Sequence, residues 1–198
     1  MRRRALGLCL VLAACGSGKE EPQLEGQRLC GSTSILGELA PPISSGGSCG
    51  LSDGVRVLSV SGVPLSAPAT MDCSTAKALD SWVSQGLRPA VGRRGGGVAE
   101  LKVMASYSCR PRNNVRGAKM SEHGRGRAVD IGGFTLRDGS EITVLEDWST
   151  RSEGPLLHAL HEAACGIFGT VLGPRSDRHH ANHFHLDTAS YRSGPYCR

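Results

Sequence analysis

Apolar residues recur at helical spacing in two stretches of the chain. After Asp72, the residues Cys73, Ala76, Leu79, Trp82 and Val83 share one face of a 3.6-residue period. This predicts a helix that Asp72 caps and Gly86 ends. A second helix is expected over about 153–168, where Leu156, Leu157, Leu160, Ala163, Ala164 and Ile167 form one stripe. Elsewhere the pattern shortens to strand length. Over 55–60, Val55, Val57 and Ser59 alternate with Arg56, Leu58 and Val60, and a buried strand is expected over 98–107 after the glycine turn at 95–97. Shorter strands are expected near 128–131, 141–145 and 183–187. From 30 to 68 the chain is otherwise rich in Gly, Ser and Pro, so it reads as irregular and pinned. Strands that do not alternate with crossover helices point to an α+β domain, with a small, mostly antiparallel sheet covered by helices. There is no internal repeat.

The chain ends change this picture. Residues 1–14 combine a basic start, Arg2-Arg3-Arg4, with an apolar run from Ala5 to Leu12 and the box Leu-Ala-Ala before Cys15. They read as a lipoprotein signal peptide with Cys15 as the lipidated residue, and a cleaved signal without lipidation would also mean export. The apolar run is too short to span a bilayer. In a cell with two membranes, Gly16 and Ser17 lack the aspartate of inner-membrane retention, so an outer-membrane anchor facing the periplasm is expected. Residues 15–28 are polar and without periodicity, a flexible tether, and 29–198 form one globular domain.

Export then gives the cysteines a meaning. Cys9 lies in the signal, which leaves Cys30, Cys49, Cys73, Cys109, Cys165 and Cys197 beside the lipid site. Six cysteines in an oxidising compartment read as three disulfides of open connectivity, and none has the close pairing of a zinc knuckle. The formal charge of +5 falls to +2 once the three signal arginines are gone. That gives no support to nucleic-acid binding.

Candidate chemistry gathers in two segments. Four of the seven histidines, His179, His180, His183 and His185, lie within seven residues. On a strand His183 and His185 project to one side and Phe184 to the other. A catalytic zinc normally has three protein ligands and one open position, and the segment 121–131 supplies His123 and Asp130 to complete a set with His185. One zinc ion is therefore the expected cofactor. Arg110, with Arg112 as an equal contender, offers a guanidinium for a substrate carboxylate or a developing oxyanion. Ser121 and His180 could orient the ligands. Asp187 would share the metal-facing side of its strand or close the strand as a cap. His158 and His161 read as ordinary helix residues.

Ser121, His123, Gly126, Ala128, Asp130 and Ile131 together resemble the S-x-H-x-x-G-x-A-x-D-[IL] motif of the Hedgehog/D-Ala-D-Ala peptidase superfamily. From about Cys30 to Cys197 the chain is similar to the bacterial extensin-like C-terminal domain family within it. Tyr-Ser-Cys-Arg at 107–110, Asp147-Trp148, Thr-Val-Leu-Gly-Pro at 170–174 and His-Phe-His-Leu-Asp at 183–187 extend the likeness. The resemblance implies zinc ligands at His123, Asp130 and His185 and a catalytic base or transition-state stabiliser at His183. D,D-carboxypeptidases of the superfamily carry a Glu three residues before the last ligand, where this chain has Asn182. The spacing of His180, His183 and His185 is instead similar to the penicillin-insensitive murein endopeptidases. The implied activity is a zinc metallopeptidase on peptidoglycan cross-link peptides. The alternative is a non-catalytic, zinc-containing module of the cell envelope, since Hedgehog domains hold the metal without evident proteolysis.

Overall fold

The computed structural model describes residues 26–45, 47–190 and 193–198. The signal peptide, Cys15 and most of the tether therefore lie outside the described residues. The chain opens with strands β1 (Gln27–Arg28) and β2 (Ile35–Leu39), a small hairpin of β3 (Ile43–Ser44) and β4 (Gly50–Leu51), then β5 (Gly54–Val60) and β6 (Val63–Asp72). Helix α1 (Cys73–Trp82) follows, continues as a π-helical turn over Val83–Leu87 and ends with α2 (Arg88–Val91). Next come β7 (Val98–Ala105), β8 (Ala128–Leu136), β9 (Glu141–Thr143) and the short α3 (Val144–Asp147). Helix α4 (Gly154–Ala164), β10 (Thr170–Leu172), β11 (Phe184–Asp187) and β12 (Tyr196–Cys197) complete the domain.

The domain is α+β, but its sheet is neither small nor uniform. Ten strands run in the order β1-β2-β5-β6-β7-β8-β11-β10-β12, with β9 also paired to β8. Two neighbouring pairs, β6-β7 and β10-β12, are parallel. The small, mostly antiparallel sheet expected from the sequence is thus corrected to a large mixed one. The missing strands lie in the region read as irregular. Pro64 and Pro68 argue against a strand because proline cannot donate to a ladder, yet both lie within β6, whose pairing with β5 shifts register between Val57 and Ser59. Side chains bridge the poorly paired β6-β7 seam: Ser66 Oγ accepts from the Val103 amide at 3.0 Å and Ser106 Oγ from the Thr70 amide at 3.1 Å.

Helix α1 starts where expected, with Asp72 Oδ1 accepting from the Thr75 amide at 2.7 Å. Gly86 does not end it. A Cβ there would lie 3.2 Å from Ala163 Cβ and 3.3 Å from Trp82 Cδ1, so this glycine allows the π turn to approach α4 closely. Leu157, Leu160 and Ala164 on α4 are buried, and Trp82 Nε1 donates to the Leu160 carbonyl at 3.0 Å. Trp82, Phe134, Phe168, Phe184 and Ile131 are among the largest fully buried side chains. Burying each stabilises the fold by about 1.5–3 kcal/mol relative to exposure.

All six candidate cysteines are joined, as Cys30–Cys73, Cys49–Cys109 and Cys165–Cys197. The second bridge ties the β3-β4 hairpin to the segment after β7, and the third fastens β12 to the end of α4. No helix among the described residues is long and apolar enough to cross a membrane.

Candidate metal centre

Strand register builds the site. In the antiparallel pairing of β8 with β11, His185 lies opposite Asp130, Phe184 opposite Ile131 and Leu186 opposite Val129. Because side chains alternate, Asp130 and His185 emerge on one face while Val129, Ile131, Phe184 and Leu186 enter the core on the other. His123 arrives from the 3₁₀ turn Glu122–Arg125, which Gly126 closes at φ 67°. A side chain at Gly126 would be strained in that left-handed conformation, and its Cβ would meet Leu51 Cδ1 at 2.8 Å. Ala128 is fully buried at the start of β8.

Three donor atoms converge. His123 Nε2 lies 3.1 Å from Asp130 Oδ1 and 3.1 Å from His185 Nδ1, and His185 Nδ1 lies 3.0 Å from Asp130 Oδ1. The corners of such a triangle are about 1.8 Å from its centre, just inside metal–nitrogen and metal–oxygen bonds of about 2.0–2.2 Å. This buried His-Asp-His group could hold one metal ion. The outer hydrogen bonds agree with that role. His123 Nδ1 donates to the Ser106 carbonyl at 2.7 Å, and His185 Nε2 donates to Asp187 Oδ2 at 3.0 Å. A carbonyl and a carboxylate only accept, so each imidazole carries its proton on the outside and turns its other nitrogen inward.

Charge reinforces this geometry. Burial pushes the Asp130 carboxyl upward, but hydrogen bonds and charge from His123 and His185 win and hold it well below the ordinary carboxylate range. For His185, burial pushes downward, but hydrogen bonds and charge from Asp130 and Asp187 prevail and raise its pKa from 6.5 to about 9. A proton on His185 Nδ1 and a metal ion therefore compete for the same space between the three residues.

The triad opens into a cleft of about 370 Å³ that His183, Arg110 and Arg112 also line. Burial is the largest influence on His183 and lowers its pKa; the Asp130 charge opposes this, and His180, His185 and His123 add to the lowering. Its Nδ1 is 2.8 Å from Asn182 Oδ1 and its Nε2 is 3.7 Å from Asp130 Oδ2. An amide oxygen accepts from Nδ1–H, so the Nε2 lone pair faces the triad.

His180 and Ser121, the candidates for orienting the ligands, are placed differently. His180 packs its ring 5.3 Å from His183 and 5.8 Å from His185, while its Nδ1 is tied to Asp177 Oδ1 at 2.9 Å. Ser121 lines the cleft, and its backbone carries the turn: its amide donates to the Arg110 carbonyl and its carbonyl accepts from Gly124. The hydrogen-bond partners on the outer side of the two triad histidines are Asp187 and the Ser106 carbonyl. The sequence leaves Asp187 either on the metal-facing side of its strand or as a cap, and it accepts from both His185 Nε2 and the Ala189 amide; nothing in the sequence marks a main-chain oxygen. Asn182, read there only as a missing carboxylate, holds His183. His158 and His161 lie beneath the cleft against Trp148, at 4.2 and 5.9 Å between ring centroids.

The remaining motif strings support this floor. Asp147 Oδ2 accepts from the Thr143 amide at 2.8 Å. Trp148 packs edge-on against Phe184, with ring centroids 5.7 Å apart. Gly173 lets β10 approach His161, whose Cδ2 would be 3.0 Å from an added Cβ. A disulfide-braced α+β domain with a buried two-histidine, one-aspartate group is the class that fold and site define. The family follows from the sequence as a whole: the model of the extensin-like protein C-terminus matches residues 28–198, and the chain belongs to that family. Comparison with curated proteins and with solved structures gives no significant match.

Proposed function

We propose that this chain is a zinc-dependent peptidase of the Hedgehog/D-Ala-D-Ala peptidase superfamily that hydrolyses peptidoglycan cross-link peptides from a lipid-anchored position in the cell envelope. The observation that carries this reading is the inward-facing triangle of His123, Asp130 and His185, with the free Nε2 of His183 beside it in an open cleft. His123, Asp130 and His185 would hold the ion. Zinc bound there supplies Lewis acidity, polarising a scissile carbonyl and lowering the pKa of water towards 7.

The chain's own groups do the rest. His183, kept neutral by burial, accepts the proton of the attacking water at Nε2 and returns it to the departing amine nitrogen, so the amide C–N bond breaks as a C–O bond forms. Asn182 fixes the ring for both transfers. Arg110 and Arg112 bring guanidinium groups to the cleft, suited to a peptide carboxylate or a developing oxyanion. With Asn182 in place of the D,D-carboxypeptidase glutamate, the base is an imidazole, which favours a cross-link endopeptidase over removal of a terminal residue. Cys15 would carry the lipid, and in a two-membrane cell the domain would face the periplasm from the outer membrane.

Zinc content and cleavage of cross-linked muropeptides, measured on His185→Ala and His183→Ala, test the reading. The first variant loses metal and cleavage; the second keeps metal and loses cleavage. Wild-type protein that holds one zinc per chain yet leaves the muropeptides intact would replace the peptidase with a non-catalytic zinc-containing envelope module.

A further inference from the structure

The segment between β7 and the His123 turn forms a short two-stranded ribbon. Pro111 pairs with Met120 in an antiparallel bridge, the Arg112 amide donates to the Lys119 carbonyl at 2.9 Å, and the Ser121 amide donates to the Arg110 carbonyl at 3.1 Å. Arg112 therefore stands opposite Lys119, and Arg110 opposite Ser121. Alternation puts Pro111 and Met120 on one face, where Met120 Sδ lies 3.3 Å from Cys49 Sγ of the disulfide. The other face carries Arg110, Arg112, Lys119 and Ser121. Of these, Arg110, Arg112 and Ser121 line the metal cleft, and the register sets Lys119 beside them. The ribbon turns through Asn113 and Asn114, whose φ of 55° and 57° are left-handed values that asparagine accepts more readily than most residues.

Three cations thus share one face without a carboxylate to neutralise them. Arg110, Arg112 and Lys119 make no side-chain hydrogen bond or ion pair among the described residues. The acidic groups of the cleft are engaged elsewhere: Asp130 with His123 and His185, Asp187 with His185 and the Ala189 amide, Asp177 with His180 and the His179 amide, and Glu122 with Arg125 at 3.4 Å. From 107 to 121 the chain has no acidic residue, and Arg116 adds a further exposed cation in the turn. Like charges directly opposite each other across paired strands are destabilising, so Arg112 and Lys119 gain from an anion between them.

We propose that this ribbon is a docking arm for an acidic peptide, with Arg112 and Lys119 sharing one carboxylate and Arg110 taking a second. The proposal deepens the peptidase reading and rests on it for the occupant of the cleft, a peptide with two carboxylates beside the scissile bond. The segment 110–120 has no aromatic side chain to stack on a base or enter a membrane interface, and its cations face a cleft, which favours a peptide over a nucleic acid or a bilayer. The test is fluorescence anisotropy of a labelled peptide of alternating glutamate and alanine, and of its glutamine counterpart, on the full chain stripped of metal and dialysed free of chelator. Metal-free protein cleaves nothing, so the arm and the peptidase reading fail separately. The glutamate peptide is expected to bind about tenfold more tightly than the glutamine one. Lys119→Ala weakens it about threefold to fivefold, Lys119→Arg keeps it, and Lys77→Ala, which removes the same charge from an exposed position on α1, changes it by less than about 1.5-fold. Zinc affinity is unchanged in Lys119→Ala. Equal binding of the two peptides, full binding by Lys119→Ala, or an equal loss in Lys77→Ala would overturn the proposal. Single-stranded DNA or phosphatidylglycerol vesicles that bind more tightly than the glutamate peptide, and that are released in Lys119→Ala, would overturn it in favour of that partner.

Discussion

Replacing Asp187 by asparagine removes one charge and leaves the volume almost unchanged, so it isolates what this carboxylate does for His185. Asp187 is buried and accepts twice, from His185 Nε2 through Oδ2 at 3.0 Å and from the Ala189 amide through Oδ1 at 2.9 Å. Asparagine has one acceptor oxygen. Whichever way its amide turns, its NH₂ must face either the Ala189 N–H or the His185 Nε2–H, so one buried donor loses its partner. If His185 is the one that suffers, its ring reorients or its tautomer changes, and Nδ1 no longer presents a lone pair to the triangle. Loss of an outer hydrogen bond to a metal-binding histidine typically lowers metal affinity 10–100-fold. That corresponds to about 1.4–2.7 kcal/mol. The assay is a competition titration of zinc against a chromophoric chelator at neutral pH. Asp177→Asn serves as the control, because Asp177 holds His180 and no ligand. Zinc affinity of Asp187→Asn within about twofold of wild type would show that Asp187 does not set the geometry of His185.

The pH dependence of stability follows from the same hydrogen bonds. His185 has its pKa raised above the ordinary value, so its stabilisation in chelator-treated protein is complete below pH 6.5 and is lost as pH rises through about 9. At 1.36 kcal/mol per pH unit the loss amounts to about 3 kcal/mol. Denaturant titrations across that window should show the slope in wild type and not in His185→Gln; Asp130 acts in the opposite sense and only in acid, because its pKa is lowered. Gly126→Ala should destabilise the domain by about 2–4 kcal/mol, from left-handed strain and the contact with Leu51. A melting temperature within about 1 °C of wild type would contradict this. Asn182→Ala should keep its zinc and lose about fivefold in muropeptide cleavage, the worth of one neutral hydrogen bond. Equal rates would remove Asn182 from the mechanism.

What the sequence makes legible is periodicity with an unambiguous consequence. The helix that begins after Asp72 and the shared side of His183 and His185 both follow from counting residues, because cap geometry and strand alternation are local properties. The size of the sheet does not follow from counting. Pro64 and Pro68 lower the strand signal of β6, and the serines that repair its seam, Ser66 and Ser106, look like loop residues until their partners across the sheet are known. Gly86 illustrates the same limit: alone it reads as a helix end, and only its distance to Ala163 shows that it is a packing residue. In the site, side-chain ligands can be expected from residue type, whereas the Ser106 carbonyl and the rotamer of Asn182 exist only in three dimensions.

The alternation along β8 and β11 has a consequence for how this domain can vary over time. Every residue beside Asp130 and His185 on these strands is a core residue: Val129 and Ile131 flank Asp130, and Phe184 and Leu186 flank His185. A one-residue slip of either strand would drive a carboxylate or an imidazole into the hydrophobic interior and expose its apolar neighbours. Drift in strand alignment is therefore closed to descendants of this chain. A descendant that keeps the fold but loses the capacity to hold a metal ion would do so by exchanging His123, Asp130 or His185 themselves, which makes those three positions a record of whether that capacity was kept.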